Sequence, residues 1–388
     1  MAEAAYIVAA CRTAGGRRGG RLAGWHPVDM GAKVLDAAVE RAGVPGDAVE
    51  DVIVGCVSQA GEQSLHVGRH CVLASNLPEK VPAVTIDRQC GSSQQAIQFA
   101  AQAVMSGTMD VVIAAGTESM TRVPMGSAVR SPEGSNPIPP SIQDKYGVKG
   151  FSQFKGAEMI AKKWGFKREQ LDAFGLNSHE KAQQAVNEGR FEDEIVPLEI
   201  ETPEGEKAMH KVDEGIRWDA SAEGMAGVKL LDENGVITAA TSSQITDGAS
   251  ACVIVSERAL KQYGLTPLAR IVNLTVTAGD PVVMLEEPLF ATDKALERAG
   301  MKIGDIDLYE VNEAFAPVPM AWLEHTGADP EKLNVNGGAI ALGHPLGATG
   351  TKLMSTLVHE LHRRGGKYGL QTMCEGGGIA NVTIVERL

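Results

Sequence analysis

The chain has 388 residues, which suits two to three domains at about 150 residues each, and its 44% hydrophobic and 22% charged content excludes a disordered chain. Its 36 basic and 49 acidic residues give a net charge of −13, which excludes a polyanion-binding face but leaves room for a small anionic ligand. Glycine is abundant at 44 residues and aromatics are only 4%, so the core must be built from Ala, Val, Ile, Leu and Met. The six cysteines (Cys11, Cys56, Cys71, Cys90, Cys252 and Cys374) are scattered without a CxxC pair and read as reduced thiols. The N-terminus lacks a basic signal region, and no run of about 18 apolar residues exists, so a cytoplasmic protein without a membrane span is expected.

In chain order, residues 6–10 read as a first strand. Residues 37–54 (AAVERAGVPGDAVEDVIV) read as a helix ending at Gly43, a short link and a buried strand. The same pattern returns at 294–311 (KALERAGMKIGDIDLYEV), 257 residues on, with Val54 facing Val311. The apolar strand at 111–116 has its counterpart at 370–374, 258 residues on. Two matches at nearly one offset indicate duplicated halves, each built of parallel β-α-β units. Between the halves, 122–150 is a proline-rich loop (Pro124, Pro132, Pro137, Pro139, Pro140), 156–190 is helical, and 200–236 is polar with little periodicity. The expected division is a first half at 1–118 plus 246–265, an inserted loop domain at 119–245, and a second half at 266–388.

Four places carry candidate chemistry. Cys90 stands between the apolar stretch 81–86 and an Ala-rich helix. A helix N-terminus lowers a thiol's pKa and favours a thiolate nucleophile, although a small cysteine packed under the helix reads equally well. Asn312 follows the strand at 306–311 and suits either a held water or a helix cap. His344 lies in the glycine-rich run 334–350, and the 257-residue offset maps it onto Asp87, three residues before Cys90. If the halves pack about a twofold axis, the two loops meet as a Cys–His pair with His344 as base. Cys374 opens Gly376-Gly377-Gly378, whose amides suit an oxyanion hole, a hairpin turn, or both.

Other motifs fail. No GxGxxG follows a strand, and GATGTK at 347–352 misplaces its glycines for a phosphate loop. Neither His66, His70 and Cys71 nor His359 and His362 has zinc-site spacing, so no metal is expected.

The motifs DRQCGSSQQA (87–96), SSQITDGASA (242–251), VNEAFAPVP (311–319), NGGAIALGHPLGATG (336–350) and CEGGGIA (374–380) resemble the thiolase family along essentially the whole chain. Ketoacyl synthases share the nucleophilic Cys but use a second histidine where thiolases have Asn-Glu-Ala-Phe. The resemblance implies an α/β thiolase fold: two duplicated βαβ-rich halves in α-β-α-β-α layers, with a loop-domain insertion in the first. It implies an acyl-CoA C-acetyltransferase that cleaves 3-ketoacyl-CoA, or condenses in reverse, as in β-oxidation and fatty acid metabolism. Cys90 would carry the acyl group, His344 would activate it, and Cys374 would protonate the departing acetyl-CoA enolate. Asn312 with His344, and the amides of Cys90 and Gly376, would form two oxyanion holes. Coenzyme A would be a substrate, with no tightly bound cofactor, contacting Ser243, Arg217, Ala314 and Phe315, with Met284 near the acyl group. A homodimer or homotetramer is implied. Four departures stand out: Asp87 replaces the usual Asn, Ser93 a frequent Gly, no His-Met pair accompanies Ser152-Gln153-Phe154, and 286–291 reads EEPLFA. They suggest a degradative enzyme for a medium, branched or unusual acyl group, with Phe290 and the two acids reshaping the pocket. A biosynthetic acetoacetyl-CoA thiolase and a non-catalytic lipid-binding relative are the alternatives.

Overall fold

The computed structural model describes residues 3–129 and 136–388; Pro132 of the expected loop lies outside them. Both copies of the repeat form as read. The helices Pro27–Ala42 and Glu287–Ala299 each end at a left-handed glycine, Gly43 (φ 67°) and Gly300 (φ 65°), a conformation that costs glycine nothing. Each is followed by a buried strand, Asp51–Gly55 and Leu308–Val311.

These strands belong to one 11-stranded mixed sheet. Its main path runs Leu308–Val311, Tyr368–Glu375, Ile379–Arg387, Ala269–Ala278, Ala5–Thr13, Thr246–Ser256, Val111–Ser119, Asp51–Gly55, Ala83–Ile86. The β-α-β expectation holds where Asp51–Gly55 lies parallel to both Ala83–Ile86 and Val111–Ser119, and where Leu308–Val311 lies parallel to Tyr368–Glu375. It missed an antiparallel cap in each half, Thr246–Ser256 against Val111–Ser119 and Ile379–Arg387 against Tyr368–Glu375. The halves join at mid-sheet through just two residue pairs, Tyr6↔Arg270 and Ile7↔Ala269.

Apolar faces set the layers. Pro27–Ala42 and Val67–Ala74 cover one face of the first half, with Val34, Leu35, Val54 and Val253 in their core. Glu287–Ala299 and Pro317–Thr326 cover the outer face of the second half around Trp322 and Val382. The helices Ser92–Met105 and Thr349–Arg364 touch strands of both halves, so they form the middle layer, and the order is α-β-α-β-α. Each large aliphatic side chain buried this way contributes about 1.5–3 kcal/mol.

The middle helices meet backbone to backbone: a Cβ on Gly350 would fall 2.0 Å from Gln94 N. Beside that contact, Thr351 N donates to Ser93 Oγ at 3.0 Å, across a separation of 258 residues. That is the offset of the strand match and one more than that of the helix match. Residues bonded to within one position of their equivalents lie close to an axis relating the copies, so the halves are related by a pseudo-twofold passing near the ends of these helices.

The region between the halves differs from its sequence reading. The 122–150 stretch contains a helix, Pro140–Tyr146, because Pro140 sits at a helix-compatible first position and Gly147 (φ 65°) ends it. The helical pattern at 156–190 is two helices, Gln153–Trp164 and Arg168–Asn187, broken at left-handed Gly165. The 200–236 stretch holds a hairpin, Leu198–Glu201 with Lys207–His210, and a short helix, Ala222–Ala226; both are too short to show a period.

Candidate active site

The Ala83–Ile86 strand and the Ser92–Met105 helix place Cys90 at the expected junction. Gln89 just before it has φ 48°, held because Asp87 Oδ1 accepts from the Gln89 backbone N at 2.7 Å. Strained backbone of this kind gathers at functional sites. The thiol itself is not acidified. Burial and the facing Glu375, with Glu118 and Asp87 behind, push Cys90 up to about 12 against the pull of its own amide. The helix N-terminus alone predicts the reverse; burial, helped by the acidic side chains gathered there, outweighs it.

His344 is buried in the glycine-rich loop, its backbone N donating to Gln244 O (3.2 Å) and Thr246 Oγ1 (3.1 Å). Thr349 Oγ1 donates to Pro345 O, so its 2.5 Å contact with His344 Nδ1 makes Nδ1 the protonated nitrogen. Nε2 is therefore the free base, and Asn312 Nδ2 lies 3.5 Å from it. Burial and the nearby Lys352 lower the imidazole to about 3, so it rests neutral. Asn312 is not a helix cap: the following helix begins after Ala316, and the Asn312 side chain turns to the histidine. Its Oδ1 is buried without a partner.

Cys374 sits near the end of Tyr368–Glu375, ahead of a hairpin turn through Gly377 (φ 90°) and Gly378 (φ 77°), so the hairpin reading of that glycine run holds. Burial and the neighbouring Cys90 push its thiol well up. A Cβ on Gly376 would meet Gln89 Oε1 at 2.9 Å, so the two cysteine loops pack against each other. The Cys90 and Gly376 amides donate to no backbone carbonyl among the described residues, which leaves them available to an oxyanion. The axis contact at Ser93 and Thr351 brings the third loop, with His344, to the same helix ends.

A cleft of about 430 Å³ runs from His344 to the surface. Ser243, Phe315 and Arg217 line it. Ser243 N donates to Ala314 O at 2.9 Å, which binds the 242–245 segment to the Asn312 loop. Phe154 packs edge-on to Phe315 in the same cleft, centroids 5.5 Å apart. Arg217 is exposed at the outer end, and Trp218 beside it is 53% exposed.

Two expectations are corrected. Phe290 does not shape this cleft: it is 47% exposed and meets His325 edge-on, and Glu286 pairs with Lys163 at 2.7 Å, while Glu287, Pro288 and Leu289 between them turn inward. Met284 is buried in the core under that helix and is absent from the cleft lining.

Sequence reasoning missed two acids. Buried Glu118 accepts from Val57 N, Ser58 N and Gln63 Nε2, and from Gly347 N at 2.9 Å, which fastens the His344 loop to the first half. Glu375 lies beside both cysteines. The only available signal was a charged residue inside an otherwise apolar or small strand end.

The chain matches the model for the thiolase N-terminal domain over residues 5–258 and that for the thiolase C-terminal domain over residues 265–387. This chain belongs to the thiolase family. The thiolase is 53% identical to a steroid 3-ketoacyl-CoA thiolase of Mycobacterium tuberculosis over 99% of this chain and 94% of that protein. It is 39% identical to a 3-ketoacyl-CoA thiolase of Bacillus subtilis over the full length of both. The crystal structure of human mitochondrial 3-ketoacyl-CoA thiolase superposes with a TM-score of 0.90 at 36% identity, covering 100% of this chain and 99% of the human one. Like these relatives it is an acyltransferase of acyl-CoA metabolism, and the degradative thiolase activity expected from the sequence holds. Among the described residues no helix is long and apolar enough to cross a membrane, and no metal-binding cluster occurs.

Proposed function

We propose that this thiolase cleaves 3-ketoacyl-CoA thioesters with a bulky acyl group, of the polycyclic steroid-derived class, by using Cys90, His344 and Cys374. The observation that carries the reading is the cleft that ends on His344, walled by Phe154 and Phe315 and open to Arg217. The steroid class is supported by the 53% identical relative's name and by the apolar wall that Phe154 and Phe315 give the cleft.

In this mechanism the Cys90 proton moves to His344 Nε2 as the sulfur attacks the 3-keto carbon. The alkoxide collapses, the Cα–Cβ bond breaks, and the acyl group stays on Cys90. The electron pair left on Cα takes the Cys374 proton and acetyl-CoA departs. Cys374 then takes the thiol proton of incoming CoA, whose sulfur attacks the Cys90 thioester; the C–S bond to Cys90 breaks, the shortened acyl-CoA leaves, and Cys90 takes its proton back from His344 Nε2. The Cys90 and Gly376 amides hold one oxyanion; Asn312 and the imidazole hold the other. A donor of this kind contributes about 3 kcal/mol.

Coenzyme A is a substrate in this reading, and no tightly bound cofactor takes part. Its pantetheine passes Ser243, Ala314 and Phe315, and its phosphates meet Arg217. Arg217→Ala should raise KM for CoA about tenfold or more with a smaller change in kcat, since a charge-assisted contact contributes about 1.5–3 kcal/mol. An equal fall in kcat, measured by steady-state thiolysis, would remove Arg217 from the CoA site. Thiolysis profiling across acyl groups tests the substrate class, and a strong preference for acetoacetyl-CoA would favour the biosynthetic alternative.

The same reading places the enzyme in the cytoplasm as a homodimer or homotetramer. Ala83–Ile86 is a sheet edge with Val84 39% exposed, and the flanking helices expose Leu73 (55%) and Phe99 (40%). An apolar edge of this kind needs a cover. Val84→Lys should yield monomers in sedimentation equilibrium; an unchanged oligomer would place the interface elsewhere.

A further inference from the structure

Glu313 follows Asn312 directly, is buried, and has no part in the mechanism above. Its carboxyl group collects donors from three separate segments. Ile340 N, in the short helix Ala339–Leu342 that leads to His344, donates to Oε2 at 3.1 Å. Ser178 Oγ, on the helix Arg168–Asn187, donates to the same oxygen at 2.7 Å and accepts from Gly338 N at 3.1 Å. Asn334 Nδ2 donates to Oε1 at 3.0 Å.

Asn334 is itself fixed to the strand that carries Asn312. Val311 N donates to Asn334 Oδ1 and Asn334 Nδ2 donates to Val311 O, both at 2.9 Å, so its amide stands only one way round. Its backbone is left-handed, φ 43°, a strain that persists where the surroundings over-determine it. The glycine pair that opens the histidine segment is shaped to the same carboxyl group. A Cβ on Gly338 would overlap the Glu313 carboxyl, and one on Gly337 would fall 2.6 Å from Ser178 O. Glu313 therefore joins the strand end bearing Asn312 to the segment bearing His344, and these two side chains face each other at 3.5 Å. The junction needs an acceptor on both oxygens, because Asn334 Nδ2 meets one and Ile340 N the other. Glutamine offers an acceptor at one end only, so its amide nitrogen would meet a donor whichever way it turned.

We propose that Glu313 is a positioning residue for the oxyanion site, its carboxyl group fixing the Asn312 strand end against the histidine segment so that the Asn312 amide and the imidazole converge on one oxygen. The proposal rests on the roles given above to Asn312 and His344. Glu313 itself touches neither substrate nor CoA and moves no proton.

Steady-state thiolysis by the full-length enzyme tests it. Glu313→Gln should lower kcat about 10- to 100-fold and change KM for CoA by less than about threefold, since a misplacement of about 1 Å at a reacting centre costs up to about 10²-fold in rate. A double-mutant cycle separates positioning from general loosening of the fold. A residue that acts through Asn312 has little left to act on once Asn312 is gone, so Asn312→Ala with Glu313→Gln should stay within about threefold of Asn312→Ala alone. Losses that multiply overturn the proposal. A raised KM for CoA at unchanged kcat also overturns it, by assigning Glu313 to the CoA side through Ser178. Circular dichroism checks folding. If Glu313→Gln does not fold, Ser178→Ala, which removes one donor and keeps the carboxyl group, runs the same cycle with the same two outcomes. Asn312→Ala alone tests the underlying reading: an unchanged kcat would refute the role of Asn312, whereas multiplying losses with a slow Asn312→Ala refute only that of Glu313.

Discussion

Replacing Cys90 with serine is expected to abolish thiolysis, by roughly 10⁴-fold or more in kcat, while the fold persists. Losses of this size follow removal of a covalent nucleophile. The structure shows why serine is no substitute. The site raises the thiol to about 12 rather than lowering it, through burial and Glu375. A hydroxyl starts several pKa units higher still and faces the same carboxylates, so His344 has no realistic proton to take. The side chain is nearly isosteric, and Ser92 and Ser93 beside it are already buried polar residues, so stability should change little. Circular dichroism and thermal melting check the fold, and mass spectrometry with acyl-CoA should find no acyl adduct. An active Cys90→Ser enzyme would refute the assignment.

Replacing His344 with alanine should cost about 10²–10⁴-fold in kcat, the usual contribution of a placed base. The more diagnostic expectation concerns pH. An imidazole held at about 3 stays unprotonated down to mildly acidic solution. The wild-type kcat/KM should therefore show no acid limb near pH 6.5, where a solvated histidine would gain its proton. A limb there, lost in His344→Ala, would mean that the imidazole is exposed to solvent. The resting pair is thiol and neutral imidazole, so iodoacetamide should alkylate Cys90 slowly at pH 7 in the free enzyme.

The repeat made much of this legible. A glycine-ended helix and a buried strand, matched 257 residues on, located both halves. Cys90 fell at a strand-helix junction as read, whereas His344 follows the short helix Ala339–Leu342 rather than a strand; the contact at Ser93 and Thr351 brings the two loops to the same helix ends. What stayed hidden depended on direction rather than spacing. Phe290 lies six residues past Met284, but the helix that begins at Glu287 turns it to His325 at the surface. Cys90 sits at a helix N-terminus as read, but its acidity depends on acids from three separate segments. Glu375 read as part of a glycine-rich motif because its closeness to Cys90 comes from the packing of two loops far apart in the sequence.

The hydrogen bond from Thr351 to Ser93 carries one more consequence. Two identical polypeptides assembled about such an axis would present the same side chain in both loops, Asp with Asp or His with His. Acid–base chemistry between unlike partners is closed to that arrangement. Joining the copies in one chain removes the constraint: position 87 is now Asp and position 344 His. The covalent link between the halves thus does more than tether them, since it is what permits each loop to specialise.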